Sequence, residues 1–528
     1  MHPDTLTDLA AVASHLEGRF GHRFLSLRDL PSPDTFTDMS RAVARIVRAI
    51  RDRERIVLVG DYDVDGVMAS AIVRRFFDAI DYPLSVYIPN RFADGYGLSA
   101  SVLDRIEAAD VILTVDNGIA ATEAAEICRQ RGIDLIITDH HIVPEVLPQA
   151  YAVIDPKRPE CTFPYPEICG AQIAWYLCAA LNRQLDAGIE TKTYLDMVAV
   201  AIIADMMPLQ HINRAMVIAG LQQMERSVWP FVHAWREARS NQRLRADDLS
   251  FGLAPLINSA GRLEDAAIAL DFVTASDIDH ARSAYIRLQT LNDRRKRLEQ
   301  EVTDAAIAQV DERNAVIVVS GEGWHEGVVG IAAARLVRRF ERPAIVLSQN
   351  GTVCKGSGRS WRECHLYDLL ANEREKMLKF GGHKAAIGMS IEADNLEAFA
   401  AGLQTHAEQM CADEATDDPD ILGALPFALV TFDLLRLLER FEPYGQGNPR
   451  PKFITRDVTL AAIQTMGAEK NHLRFTFESD GLYLQGVQFK TTATYPIGSR
   501  MDIIYTPHEN HFRGETTIQL MVEKILQH

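Results

Sequence analysis

Short apolar runs alternate with helical stretches over the first two hundred residues. A helical stretch such as AATEAAEICRQRG (120–132) separates two of the runs. Strands that are apolar throughout and separated by helices are typical of a parallel sheet with helices on both faces. The predicted strands are 55–60, 84–89, 111–115, 135–138 and 151–154.

Helices dominate from about 170 to 310, and a second α/β block follows. The segment 276–313 is rich in Arg, Lys, Glu and Leu without Pro or Gly, so it predicts one long connecting helix. The second block has predicted strands at 315–320 and 343–348, with a helix between them. It ends in a glycine-rich turn at 381–391.

The pattern changes again after the acidic, apolar-poor stretch 411–420, which predicts a linker. A short helix and five strand-like runs then predict a small all-β barrel. The expected organisation is a first domain with an N-terminal extension, the connecting helix, a second α/β domain, the linker with its helix, and the barrel. These correspond to 1–275, 276–313, 314–411, 412–440 and 441–528.

Composition narrows the class of protein. At 528 residues the chain is too long for one core, and 47% hydrophobic with 24% charged residues is ordinary for a globular protein. No apolar run approaches the roughly 18 residues that a membrane span needs, so no membrane partner is expected. Seven scattered cysteines without a CxxC pair, behind an N-terminus unlike a secretory signal, predict reduced thiols in the cytoplasm.

The formal net charge of −17 argues against a nucleic-acid partner, because phosphate binding needs a basic surface. That argument fails if basic residues cluster locally, or if an acidic pocket holds divalent cations. Two basic segments, 294–297 (RRKR) and 335–340 (RLVRRF), are candidates for such a cluster. RRKR lies on the predicted connecting helix and can equally be a solvated face.

Acids recur where predicted strands or apolar helices end. GDYDVDG follows the first strand, TVDNG ends the third, TDHH ends the fourth, and ADMMP ends an apolar helix. The carboxyl ends of parallel strands meet in one crevice, where like charges would repel without cations. Asp and His suit Mn²⁺, or Mg²⁺ with more retained water, and two bridged ions suit phosphoryl chemistry. The residues concerned are Asp61, Asp63, Asp65, Asp116, Asp139, His140, His141 and Asp205.

Each fragment alone has a simpler explanation. Asp-Gly after a strand is usually a turn, a His pair is usually a surface or capping feature, and Asp205 can be a solvated helix-end acid. The four fragments together, in this order, favour a metal site.

The same fragments resemble the DHH phosphoesterase superfamily. GEGWHEGVVGIAAARLVRRF (321–340), KGSGRS (355–360) and GGHKAAIGMSI (381–391) resemble the DHH-associated domain of the RecJ family of bacterial single-strand-specific DNA exonucleases. PLINSAGRLEDA (255–266) and FEPYGQGNPRPKF (441–453) are similar to RecJ segments, and the barrel resembles an oligonucleotide/oligosaccharide-binding (OB) fold. The implied fold class is α/β: a parallel-sheet DHH domain, a DHH-associated α/β domain joined by a long helix, and a C-terminal OB-type barrel.

The resemblance implies roles for the acidic fragments, with two divalent ions, Mn²⁺ or Mg²⁺, as cofactors. Asp63 and Asp65 would each bind an ion, Asp116 would bridge the two, and His140 and Asp205 would hold the second. Asp139 would orient an imidazole and His141 would contact the scissile phosphate. Asp61 would be a further or outer ligand.

It also implies a substrate pocket. The pocket for a terminal 5′ phosphate and the grip on a phosphate near the metals would use Arg91, Arg262, Ser357, Arg359, Gly381, Gly382 and His383. Trp324 would line the nucleotide channel or belong to the core. The barrel aromatics Phe475, Phe477, Tyr483, Phe489 and Tyr505 are candidates for base stacking, none assigned individually because half of them must point inward.

The function that this resemblance implies is 5′-to-3′ degradation of single-stranded DNA to 5′-mononucleotides, in DNA recombination and repair. Single-strand DNA-binding protein and repair helicases would be partners of a monomer. One alternative is a DHH phosphoesterase for short oligonucleotides or cyclic dinucleotides, although such enzymes are usually shorter and lack the barrel. Another is a non-catalytic replication scaffold, a class that loses the metal ligands present here.

Overall fold

The computed structural model of the chain describes residues 5–19, 24–239, 243–362, 364–410, 420–467, 470–491, 493–512 and 515–527. Three sheets organise these residues: a parallel sheet, a mixed sheet and a barrel. They correspond to the α/β, α/β and OB-type parts that the sequence predicts, so the fold class is confirmed.

The first sheet has five parallel strands in the order β2-β1-β3-β4-β5. Its strands are β1 (Ile56–Val59), β2 (Ser85–Tyr87), β3 (Val111–Val115), β4 (Asp134–Thr138) and β5 (Ala152–Ile154). The helices of this part of the chain are α1 (Leu9–Gly18), α2 (Met39–Asp52), α3 (Val64–Ala79), α4 (Ala100–Arg105), α5 (Thr122–Gln130), α6 (Gly170–Leu185) and α7 (Leu195–Ala204).

The sheet is buried on both faces because successive side chains point to opposite sides. Leu58 and Leu113 contribute to one core, which contains residues of α2, α3, α6 and α7. Val59 and Ile112 contribute to the other, beneath α4 and α5. Burial on both faces explains why these strands are apolar at every position.

A helical region leads to the second sheet. It contains α8 (His211–Met224), α9 (Pro230–Glu237), α10 (Ala246–Asp248), a π-helical turn at Leu249–Leu253, α11 (Ala254–Leu263), α12 (Ala267–Val273) and α13 (Ile278–Ile307). Helix α13 has 30 residues and is therefore about 45 Å long. It contacts α9 and α11 of the first domain and α14 (Glu326–Phe340) of the second, so it connects the two.

The second sheet is mixed, in the order β6-β7-β8-β10-β9. Its remaining elements are β6 (Ile317–Glu322), β7 (Ala344–Asn350), β8 (Val353–Arg359), α15 (Leu366–Ala371), β9 (Met377–Gly382), β10 (Ala386–Glu392) and α16 (Leu396–Met410). The glycine-rich stretch 381–391, predicted to be a turn, instead contributes the end of β9 and most of β10. Glycine also permits close packing between the strands of this sheet, because a Cβ on Gly356 would lie 2.3 Å from the Val346 carbonyl oxygen.

The C-terminal sheet closes into a barrel through pairing of β12 with β15. Its elements are β11 (Ile421–Ala424), α17 (Phe432–Glu439), β12 (Lys452–Met466), β13 (His472–Ser479), β14 (Leu482–Gln488), β15 (Arg500–Phe512) and β16 (Glu515–Gln527). Of the linker predicted at 412–440, residues 412–419 lie outside the described residues, and the remainder forms β11, a short turn and α17.

The N-terminal segment differs from its expected place in the first domain. Leu6, Val12 and Leu16 are buried in the core of the barrel domain. The Leu6 amide donates to the Ala424 carbonyl at 2.8 Å, next to β11. Residues 5–19 therefore pack in the same domain as the C-terminal strands, which no local pattern in their sequence reveals.

Two further expectations can be compared with the structure. Among the described residues, five cysteines are free and Cys364 is disulfide-bonded, so the prediction of reduced thiols is wrong for Cys364. Within the described ranges, no helix combines the length and apolar character needed to cross a bilayer.

The basic segments of α13 and α14 are partly engaged in ion pairs. Glu299 is buried, and its carboxylate lies 2.5 Å from both Arg295 and Arg335, which joins α13 to α14. Arg294 lies 3.5 Å from Glu264. These pairs reduce the charge that RRKR and RLVRRF can offer to DNA.

We expect Glu299→Ala to destabilise the contact between α13 and α14 by about 3 kcal/mol, because it leaves guanidinium groups without their buried partner. Native-state hydrogen exchange of the amides of α13 and α14 measures the loss. The matched control is Asp311→Ala, which breaks the ion pair with the largely exposed Arg313 and should leave exchange in these helices unchanged. Equal protection in the Glu299 variant and the native chain would contradict a structural role for the pairs.

Candidate metal centre

The acidic fragments lie at the carboxyl edge of the first sheet. Asp61 follows β1, Asp116 follows β3 and Asp139 follows β4, and these three strands are neighbours. Asp63 caps α3, since its carboxylate accepts from the Gly66 amide at 3.1 Å. A Cβ on Gly66 would lie 2.5 Å from the Asp61 carbonyl oxygen, so only glycine permits this compact turn.

Two helices complete the cluster. Asp65, in the first turn of α3, accepts from the Gly170 and Ala171 amides at 2.6 and 2.8 Å, at the N-terminus of α6. Asp205 ends α7, and α7 packs against α3. The positions of α3, α6 and α7 thus bring the carboxylates of Asp65 and Asp205 close to the acids at the strand ends.

The ligand atoms form overlapping groups that would suit two ions. The Nε2 atom of His140 lies 3.1 Å from Asp116 and 3.6 Å from both Asp65 and Asp205. Potential ligand atoms lie within 4.8 Å of one another in three groups: Asp61–Asp63–Asp116, Asp65–His140–Asp205 and Asp116–His140–His141. Asp116 belongs to the first and third groups, and its Oδ1 lies 3.1 Å from His140 of the second, so one carboxylate adjoins all three groups.

The donor atoms fit divalent cations. Asp116 Oδ1 and Asp205 Oδ2 are buried and accept no hydrogen bond from any described residue. A buried carboxylate oxygen without a donor is costly unless a cation satisfies it. Carboxylates with one neutral imidazole are the ligands that Mn²⁺ and Mg²⁺ accept.

The electrostatics show how strongly the carboxylates repel one another. Burial raises the pKa of Asp61, Asp65 and Asp116 above the ordinary carboxyl range, and the charge of Asp63 adds to each shift. Burial and the neighbouring acids raise the pKa of Asp205 to about 8. Without an ion, part of this cluster holds protons at neutral pH, so metal binding must release them.

The two histidines differ in charge. Burial lowers the pKa of His140 to about 4, which leaves a neutral imidazole suited to metal ligation. Burial also acts to lower the pKa of His141. The carboxylate of Asp139, whose Oδ1 lies 2.6 Å from His141 Nδ1, outweighs burial and raises this pKa to about 9. His141 is therefore a cation at neutral pH, beside the cluster.

Asp139 holds this arrangement together. Its Oδ1 accepts from the His140 amide at 2.8 Å, and its Oδ2 accepts from the Ile119 amide at 2.8 Å. Burial raises the pKa of Asp139, but the hydrogen bond and charge of His141 outweigh it, so the pKa lies below its ordinary value. The imidazole that Asp139 orients is thus that of His141.

Sequence reasoning missed two residues of the site. The Tyr96 hydroxyl lies 3.3 Å from His141 Nε2, on the loop between β2 and α4. Asp155 follows β5, is fully buried, and has its pKa raised to about 7, chiefly by burial. An acid directly after a predicted strand was the signal for Asp155, whereas nothing local marks Tyr96.

The predicted phosphate-binding arginines come together next to the acidic cluster. Burial, followed by the charges of Arg91 and Arg359, lowers the pKa of Arg262 to about 10. The Arg91 guanidinium lies 5.5 Å from the ring of Tyr62, between Asp61 and Asp63. Gly330 leaves room for this pocket, because its Cβ would lie 3.1 Å from Arg359 and 3.4 Å from Ser357. Crowded cations of this kind create a pocket for an anion.

The other predicted substrate residues are placed less centrally. Gly381, Gly382 and His383 are exposed where β9 ends, and no described hydrogen bond or ion pair joins His383 to the acidic cluster. Their role in binding stays a prediction. Trp324 is partly buried against the core formed by α14 and β6, which agrees with the core interpretation.

Comparison with known proteins agrees with this geometry. Family models match at residues 55–202 (DHH family, N-terminal domain), 313–408 (DHHA1 domain) and 422–524 (RecJ OB domain). The single-stranded-DNA-specific exonuclease RecJ of Escherichia coli is 34% identical over 92% of this chain and 90% of its own length. The chain belongs to the RecJ family.

Other RecJ proteins extend the comparison. RecJ of Bacillus subtilis is 31% identical over 95% of this chain, which spans only 65% of that protein. The structure of Thermus thermophilus RecJ in complex with Mn²⁺ superposes with a TM-score of 0.85 at 27% identity, covering 100% of this chain and 79% of that one. The same RecJ has been solved with Mg²⁺. This RecJ-family chain thus combines a DHH domain with a cluster of carboxylates and imidazoles that could hold Mn²⁺ or Mg²⁺.

The raised carboxyl pKa values predict that stabilisation by Mn²⁺ grows with pH. A raised pKa stabilises the metal-free protein below about pH 4, and this contribution is lost as pH rises through the Asp205 pKa of about 8. The ion removes the repulsion, so its effect on the melting temperature should be larger at pH 8 than at pH 6. Thermal unfolding with and without Mn²⁺ tests this, with Asp205→Asn expected to flatten the dependence. A larger effect at pH 6 would contradict it.

Proposed function

We propose that this RecJ-family chain degrades single-stranded DNA from its 5′ end and releases 5′-mononucleotides, in DNA recombination and repair. The observation that supports this most directly is the arginine pocket beside two ligand groups that share Asp116. A terminal phosphate bound by Arg91, Arg262 and Arg359 would place the next phosphodiester at the acidic cluster. Cleavage there yields one nucleotide at a time.

The residues of the cluster would have separate roles in metal binding and cleavage. Asp63 and Asp65 would each bind one ion, Asp116 would bridge the ions, and His140 and Asp205 would complete the second site, with Asp61 available to the first. When bound, the ions would supply an activated water and neutralise charge on the phosphate as the 3′ oxygen leaves. His141, held by Asp139, would donate a hydrogen bond to a phosphate oxygen and stabilise its developing charge.

Selectivity for a single strand would come from the junction of the two α/β domains. Arg262 at the end of α11 donates to the Gly327 carbonyl in α14 at 3.2 Å, so the domains are in contact at the arginine pocket. A Cβ on Gly327 would lie 1.9 Å from the Arg262 carbonyl oxygen, so the two backbones approach very closely. A DNA passage beside this junction would admit a single strand and exclude the wider duplex.

The barrel would guide the strand by base stacking. Phe475, Phe477 and Tyr505 are fully buried and belong to its core, so they are not available to bases. Tyr483 and Phe489 are 65% and 53% exposed, and these two remain as stacking candidates. Family resemblance supports a cytoplasmic monomer with single-strand DNA-binding protein and repair helicases as partners.

Asp116→Asn tests the two-metal proposal. We expect it to reduce cleavage of a 5′-phosphorylated single strand, labelled at its 3′ end, by more than about 100-fold in Mn²⁺, because both ions lose their shared carboxylate. The native chain should shorten the single strand from its 5′ end and leave the blunt duplex intact. Cleavage of only short oligonucleotides or cyclic dinucleotides would favour the small-substrate phosphoesterase, and no cleavage in any metal would favour a scaffold.

Arg359→Ala tests the terminal-phosphate pocket. Loss of one charged hydrogen-bond donor should raise the KM for 5′-phosphorylated DNA about 10-fold or more. The KM for 5′-hydroxyl DNA should hardly change, because that end offers no phosphate to the pocket. Arg313→Ala is the control, because this arginine is 89% exposed and lies outside the pocket and both basic segments. An equal rise in KM for both DNA ends would assign Arg359 to general DNA contact instead.

A further inference from the structure

The segment between α17 and β12 contacts the loop that follows a candidate metal ligand. Residues 444–448 (YGQGN), called the docking turn below, belong to the C-terminal domain in sequence. They lie against residues 206–210, which connect α7 to α8 in the first domain. The loop begins directly after Asp205.

Two hydrogen bonds fasten the loop to the docking turn. The Leu209 amide donates to the Gln446 carbonyl at 2.7 Å, and Gln210 Nε2 donates to the Gly447 carbonyl at 2.9 Å. Leu209 is buried, so its amide has no access to water as an alternative. The loop depends on the turn for this bond.

The docking turn is itself rigid and closely fitted. Its ends are tied by the reciprocal bonds Gly445 N to Asn448 O (2.9 Å) and Asn448 N to Gly445 O (3.1 Å). The buried Asn448 side chain donates to the Phe441 and Pro443 carbonyls. Gly447 has φ +71°, and a Cβ there would lie 3.1 Å from Pro208.

The loop 206–210 is directly connected to Asp205 of the candidate metal centre. Asp205 ends α7, and the next residue, Met206, has the strained φ of +54°. The Pro208 carbonyl accepts from Asn213 Nδ2 at 3.0 Å, and Asn213 Oδ1 accepts from Gln172 at 2.9 Å. Gln172 lies in the first turn of α6, the helix whose amides hold Asp65. Both carboxylates of one ligand group are therefore connected to the docking turn.

We propose that the docking turn of the C-terminal domain positions Asp205, and so sets the affinity of the ion held by Asp65, His140 and Asp205. The inference rests on the proposed metal role of these residues. The residues of the turn touch neither substrate nor ion and act only through the loop 206–210. The attachment of the barrel domain and the geometry of the metal centre are thereby coupled.

Gly447→Ala is the first test, in the full chain and without DNA. The added methyl group meets Pro208 and strains a left-handed backbone position. Free Mn²⁺ measured by electron paramagnetic resonance during a titration should show one ion bound about 10-fold more weakly and the other unchanged. Gly481→Ala is the matched control, since Gly481 has φ +77° in the same domain and no neighbouring atom within 4 Å.

Gln210→Ala is the second test and changes no backbone conformation. Removing its bond to Gly447 should weaken the binding of the same ion by a smaller factor. The double variant should weaken this binding by less than the product of the two single effects. Cleavage by either variant should recover at saturating Mn²⁺, so that the metal requirement rises while kcat is preserved.

The outcomes separate this inference from the proposed function. Native affinity for both ions in the two variants would overturn the positioning role and leave the function intact. Equal weakening of both ions with a lowered melting temperature would show general destabilisation and would also overturn it. Absence of any tight Mn²⁺ site in the native chain would instead remove the proposed function.

Discussion

The mutual repulsion of buried carboxylates is the constraint on which the rest of this structure depends. The strand order brings the ends of β1, β3 and β4 together, and each end carries an acid. Such a cluster is stable only if the backbone forces the side chains together and protons or cations compensate their charge. The compact turn at Gly66 and the α6 amides on Asp65 provide that force. A net charge of −17 is compatible with a DNA substrate for the same reason, since part of it surrounds the metal centre.

Contacts between domains recur at residues with proposed roles in cleavage. Arg262 of the proposed phosphate pocket lies at the junction of α11 and α14, and Glu299 joins α13 to α14. The docking turn reaches Leu209, close to Asp205. The three domains therefore surround one site, and the position of each domain bears on its geometry.

Local patterns predicted the first sheet well. The strands begin or end within one residue of the apolar runs, because burial on both faces leaves a continuous apolar signature. The acids of the candidate metal centre were recognisable because they follow apolar strands or, for Asp205, an apolar helix. Glycine misled the prediction at 381–391, since glycine marks turns and close strand packing alike. Tyr96 escaped notice because a loop tyrosine carries no pattern of its own.

By itself, the sequence determined the order of strands and helices, the acids at their ends, and through its motifs the family to which the chain belongs. Only the tertiary structure decided which barrel aromatics are buried, because alternation along a strand separates two faces without saying which one closes inward. It also placed α1 against the barrel and the docking turn against the loop after Asp205. Those contacts join residues hundreds of positions apart, where packing of complementary surfaces, and no local propensity, determines the neighbours.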